Sequence, residues 1–213
     1  MMVPHATEAP RRRARRGEGD KLRDKILEAA EELLLQTGNV ETVSIRAVAE
    51  AVGVTPPSIY MHFSDKNDLI FAVCEKHFQQ FDEYLEAAGS QSDDPLESLL
   101  LRGRAYVRFG LDNPEHYRIL FMTKPALTPE RFQSEDMLER MAAFGHLVEA
   151  VNRCIEAGAF DGDPLEVAML VWAYAHGLTS LLVTKPDFPW GDIDQLIDRA
   201  LGIPIAGLQS GRV

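Results

Sequence analysis

Between Thr55 and His62 lie side chains whose types suit contact with a nucleic-acid surface. Ile59 and Phe63 are four apart and anchor one side of a short helix, which leaves Thr55, Pro57, Ser58, Tyr60, Met61 and His62 largely to solvent. A phenol, an imidazole and two hydroxyls can donate to or accept from base edges and phosphates without burying a fixed charge. Lys66 and the amides near Ser44 and Asp65 extend this set as expected clamps on a phosphate backbone. Each of these residues is common on ordinary surfaces. Their order along one short segment is what points to reading.

The preceding residues supply the support such a helix needs. In the stretch TVSIRAVAEAVGVTPPSIYMHFSDKNDL, Ile45, Val48, Ala49 and Val52 share the inner face of a helix over about Ile45 to Ala51. Ala49 lets a second helix cross closely. Gly53 permits a turn that a β-carbon would resist, and Val54 plugs the corner. Thr55 is expected to cap the next helix through its hydroxyl, with Pro56 and Pro57 in first-turn positions where a missing amide proton is harmless. Two helices joined this way form a helix-turn-helix.

Charge sharpens that reading. The 213-residue chain carries a net charge of −11, which taken alone argues against nucleic acid. Residues 1–63 nevertheless balance 9 Lys/Arg against 9 Asp/Glu, whereas residues 64–213 hold 13 against 24, so the whole deficit belongs to the second part. Arg11, Arg12, Arg13, Arg15 and Arg16 form a run between Pro10 and Gly17 that is expected to be a solvated arm able to neutralise phosphates.

From Lys21 onward the apolar spacing is helical, as with Leu22, Ile26, Ala29, Ala30, Leu33 and Leu34. The expected helices span about Lys21 to Thr37, Ile45 to Ala51, Pro56 to His62, Asp65 to Ala88 with Ser64 as N-cap, Pro95 to Leu111, Pro114 to Met122, Glu130 to Ala157, Asp163 to Val183, and Asp192 to Leu201. Gly38, Gly158, Pro186 and Gly202 mark expected stops. The fold class is therefore all-α with about nine helices. The division is an arm over 1–19, a helix-turn-helix unit over 20–66 and a second helical domain over 67–213.

Several functions lack support in the sequence. Cys74 and Cys154 are 80 positions apart and suggest neither a disulfide framework nor a cysteine zinc module. No nucleophile elbow, phosphate loop or HExxH is present, and Glu115 beside His116 is too little for an enzyme. The histidines are scattered, so no metal or cofactor is expected. The uncharged run Val167 to Val183 is seventeen residues and contains Trp172, Tyr174, His176, Thr179 and Ser180, a mixture suited to a helix between protein surfaces rather than a membrane. With no export signal at the start, a cytoplasmic setting is expected.

The stretch AVGVTPPSIYMHFSDKNDL, with ILEAAEELL before it, resembles the DNA-binding domain of TetR/AcrR-type transcriptional regulators over about Asp20 to Lys76. Arg46 and Met61 depart from that pattern, the latter standing where a basic residue is frequent. The resemblance implies DNA contacts at Ser44, Arg46, Thr55, Pro56, Pro57, Ser58, Tyr60, Met61, His62 and Lys66. The arm residues Arg11, Arg12 and Arg13 are expected to add to them. WAYAHGLTSLL, from Trp172 to Leu182, resembles the WHG subgroup of the family's C-terminal domains, and NPEHYRILFM is also familiar from them.

A homodimeric repressor on double-stranded DNA is implied by the resemblance, with a C-terminal domain that dimerises and encloses a small-molecule effector. The helices from Asp163 and Asp192 are expected to pair with their copies about a two-fold axis and so favour a palindromic operator. The expected cavity residues are Phe81, Tyr84, Tyr106, Phe109, Tyr117, Phe121, Phe144, His146, Trp172 and His176, which suit an apolar or amphipathic effector. The alternatives are a helical enzyme and a non-specific nucleic-acid binder driven by the arginine arm.

Overall fold

The computed structural model describes residues 18–122 and 142–211. Among the described residues there are nine α-helices and no strand. Helix α1 (Glu18–Thr37) ends at Gly38, whose φ of +61° and N–H bond to the Leu34 carbonyl close the last turn. A 3₁₀ turn at Val40–Thr42 leads into α2 (Ile45–Val52), capped by Ser44 Oγ, which accepts from the Ala47 amide at 3.1 Å. Gly53, at φ +77°, turns the chain into α3 (Pro56–Tyr60), which ends two residues earlier than expected.

Helix α4 (Lys66–Gly89) is the spine of the molecule. Its cap is Asp65, not Ser64. The Asp65 carboxylate accepts from the Asp68 amide at 2.8 Å, and the Asp68 carboxylate accepts in return from the Ser64 amide at 2.7 Å. The reciprocal box moves the start of the helix by one residue. Leu69, Ile70 and Val73 of α4 close a core with Ile26, Ala30 and Leu34 of α1, Val48 and Ala49 of α2, and Ile59 of α3. Farther along, Phe81 enters a second core.

That second body contains α5 (Pro95–Asp112), α6 (Pro114–Tyr117), α7 (Ala142–Glu156), α8 (Pro164–Thr184) and α9 (Ile193–Gln209). Helix α6 continues as a π turn over Arg118–Met122. Of the helix expected from Glu130, residues 130–141 lie outside the described part. Asp94, Asp163 and Asp192 cap α5, α8 and α9, each accepting from an amide three residues on. Helix α5 runs through the middle, against α4, α7, α8 and α9. Gly110 brings it close to α8, since a β-carbon there would collide with Thr179 Cγ2.

The expected stop at Gly202 is not observed. Helix α9 continues through a buried Pro204 to Gln209 because Ile205 and Leu208 complete the core around Leu99, Val151 and Val167. Burying Ile205, at about 1.5–3 kcal/mol, and part of Leu208 is comparable with the roughly 3 kcal/mol penalty of an interior proline.

Candidate nucleic-acid interface and interior cavity

Helix α3 is held from below and bare above. Ile59 and Phe63 are buried in the first core, and the Arg23 guanidinium lies over the Phe63 ring at 5.2 Å. The Val54 amide bonds the Ala49 carbonyl at 2.8 Å across the Gly53 turn, which fixes α3 relative to α2. On the outer side Tyr60 is 54% exposed and Met61 84% exposed, beside exposed Thr55, Pro56 and Pro57. Ser44 is exposed just before α2, and Arg46 is exposed in its first turn.

Three polar residues have partners or neighbours that the sequence does not disclose. Thr55 makes no side-chain cap; its hydroxyl pairs instead with Ser58 Oγ at 3.2 Å. With Pro57 at the second helical position, one of the two amides that a cap would serve does not exist. Lys66 Nζ donates to the Glu41 carbonyl at 3.3 Å and lies 3.8 Å from the Glu41 carboxylate, so it fastens the 3₁₀ turn to α4. His62 is half-buried and faces Gly19 at the start of α1. Arg11, Arg12 and Arg13 lie outside the described residues.

Within the body, α4, α5, α7, α8 and the π turn surround a cavity of about 670 Å³. Phe81, Tyr106, Phe121, Phe144, Trp172 and His176 of the expected set line it. The other four stand outside the lining. Tyr117 is fully buried behind His176, Phe109 packs behind Phe81 with ring centroids 4.9 Å apart, Tyr84 is exposed, and His146 faces Asp82.

The aromatic wall is joined by hydrogen bonds. Trp172 Nε1 donates to Tyr106 Oη at 3.2 Å, and His176 Nδ1 lies 2.8 Å from Tyr117 Oη and 3.2 Å from Tyr106 Oη. Burial lowers the His176 pKa, which favours the neutral ring. Burial likewise pushes the Tyr117 phenol up to about 12 and raises that of Tyr106. All these groups stay uncharged near neutral pH, which keeps this end of the cavity apolar.

The opposite end is polar, and reading aromatics alone missed it. Asp82, Glu86 and Arg102 line the cavity there. Arg102 forms a two-pronged pair with Glu86, in which Nη2 donates to Oε2 at 2.9 Å, while His146 Nδ1 lies 2.9 Å from the Asp82 carboxylate. A signal was available: Asp82 and Glu86 are four apart on the same face of α4 as Phe78, Phe81 and Leu85, an unusual place for two carboxylates.

Folding also gathers histidines that look scattered in the sequence. Asp82, Glu86 and His146 form one group able to offer ligands to a cation; Glu31, His77 and His116 form a second at the junction of α1, α4 and α6. Sequence spacing alone did not single out His77.

Comparison with known proteins agrees with this architecture. Residues 26–73 match the model described as bacterial regulatory proteins, tetR family, and residues 99–202 match that of the tetracyclin repressor-like C-terminal domain. The HTH-type transcriptional regulator TtgR of Pseudomonas putida is 28% identical over 197 residues, covering 86% of this chain and 91% of its own. A protein of unknown function from Rhodococcus sp. RHA1 superposes with a TM-score of 0.73 at 25% identity, over 88% of this chain and 95% of its own. NalD, the secondary repressor of the MexAB-OprM multidrug efflux pump in Pseudomonas aeruginosa, superposes at 0.63 with 26% identity, over 91% and 98% of the two chains. The chain belongs to the tetR family of bacterial regulatory proteins. It is a DNA-binding transcriptional regulator.

Proposed function

We propose that the chain is a cytoplasmic, homodimeric repressor that releases a palindromic operator when a small apolar or amphipathic effector enters the cavity. The observation that carries this reading is the joining of a bare, polar α3 to a mostly apolar cavity by a single helix, α4. Residues 20–66 act as reader and 67–213 as sensor and dimer body, with the arm over 1–19 adding phosphate contacts through Arg11, Arg12 and Arg13. Ser44, Arg46, Thr55, Pro56, Pro57, Ser58, Tyr60, Met61 and His62 face the operator, while Lys66 supports the turn beneath them. The protein has no catalytic role, and its C-terminal half follows the WHG pattern noted at Trp172 to Leu182.

The dimer face is supplied by α8 and α9. Tyr174 and Leu181, seven apart on one side of α8, are exposed, and Ile203 is exposed on α9. A two-fold pairing of these helices covers Tyr174, Leu181 and Ile203 and sets two copies of α3 one DNA turn apart, about 34–36 Å. The polar end at Asp82, Glu86 and Arg102 would orient the head group of an amphipathic effector, and the aromatic end would hold its apolar part.

The reading is tested by titrating a selected operator duplex in the presence of amphipathic compounds, with the wild type and with Leu147→Trp, which fills the cavity. At least one compound is expected to weaken wild-type binding tenfold or more, with the variant still bound and unresponsive. Identical responses in both proteins would remove the sensor.

A further inference from the structure

The second histidine group lies away from the cavity and takes no part in holding an effector. His77, on α4, is 3% exposed, and its Nε2 has no hydrogen-bond partner. That nitrogen faces Glu31 Oε1 of α1 at 3.3 Å, without the alignment of a hydrogen bond. His116, on α6, completes the group, its ring meeting that of His77 edge-on with centroids 4.7 Å apart. One donor atom from each of the three residues lies within 4.8 Å of the other two.

A buried ring nitrogen without a hydrogen-bond partner is costly unless something occupies the space before it. A cation ligated at about 2.0–2.1 Å in tetrahedral geometry holds neighbouring donors about 3.3–3.4 Å apart. The Glu31 to His77 pair already has that separation. The half-buried His116 has only a short way to move. The second Glu31 oxygen lies 3.4 Å from Lys76 Nζ, an outer partner that orients the carboxylate and leaves Oε1 free to ligate. Two imidazoles and one carboxylate are a donor set for zinc-class ions, with water in the fourth position.

We propose that Glu31, His77 and His116 bind one zinc-class divalent cation, tying α1 of the reader to α4 and α6 of the body. The proposal does not depend on the operator or the effector.

The test uses the untagged full chain, the metal alone and no DNA. Uptake is followed by calorimetry with Zn²⁺ and by the visible d–d absorption of Co²⁺, in the wild type and in Glu31→Gln, His116→Ala and His146→Ala. His77 is left intact because its burial makes a variant there prone to misfold. One ion per chain is expected, with intense Co²⁺ bands and a thermal midpoint raised by roughly 5–10 °C at a hundredfold excess over Kd. Glu31→Gln and His116→Ala should lose affinity tenfold or more, and His146→Ala should retain it. No uptake, uptake indifferent to Glu31→Gln and His116→Ala, or uptake lost only in His146→Ala would each overturn the site.

Discussion

The reader and the cavity are built on opposite terms. Around α3 the apolar anchors point inward, and most of the expected reading groups face water. Around the cavity the polar groups are already committed to one another: Tyr117 and Tyr106 to His176, Trp172 to Tyr106, Arg102 to Glu86, and His146 to Asp82. A surface that must engage a charged polymer keeps its donors available, whereas a cavity that must take up an apolar molecule satisfies its donors internally so that few are left stranded. Changes at α3 should therefore alter binding with little effect on stability, and changes at the cavity should do the reverse.

The largest expected effect is on the cavity side. Phe81 is 3% exposed and contacts Tyr106, Phe109 and Phe121 edge-on, so Phe81→Ala should cost about 3–5 kcal/mol in denaturant unfolding. The fraction that remains folded should keep its operator preference. Tyr60→Ala is the mirror experiment: operator affinity should fall roughly tenfold to a hundredfold, about 1–3 kcal/mol, with the thermal midpoint unmoved. A fall in midpoint of several degrees would show that Tyr60 is structural and break the contrast.

A smaller effect separates two hydroxyls of the reader. Ser44→Ala should cost about 1 kcal/mol because Ser44 caps α2, and Thr55→Ala less than about 0.5 kcal/mol because Thr55 caps nothing. Equal losses in thermal unfolding without DNA would contradict that assignment.

The smallest effect is one of pH. His176 has a lowered pKa in the fold, so the unfolded chain binds more protons than the native one at mildly acidic pH. Its contribution is fully present above the unfolded value of about 6.5 and is lost as pH falls toward the folded value. His176→Gln should flatten the acid side of the stability profile by up to about 1.4 kcal/mol per pH unit. An unchanged slope would mean that His176 is not the group held neutral there.

The same contrast explains what could be read from the sequence. The reader depends on neighbours in the chain: Ile59 and Phe63 four apart, Gly53 in the turn, prolines at the first turn. Such local terms leave direct marks in the order of residues. The cavity joins groups from distant helices, His176 with Tyr117 and Asp82 with His146, and no local spacing encodes those meetings. Six of the ten residues expected around the cavity line it, while Tyr84, Phe109, Tyr117 and His146 stand behind or beside the lining. The pairing of Glu86 with Arg102 and the junction at His77 came from tertiary packing. At helix ends, too, a local signal yielded to burial where Leu208 and Ile205 drew α9 past Gly202.

The most direct measurement of the central claim is selection of bound duplexes from random DNA by the purified full-length protein. The predicted result is an enriched palindrome with half-sites centred about one helical turn apart, and loss of that enrichment in Tyr60→Ala. Enrichment of a single unpaired half-site, or of no sequence at all, would contradict a reader presented twice by a two-fold body.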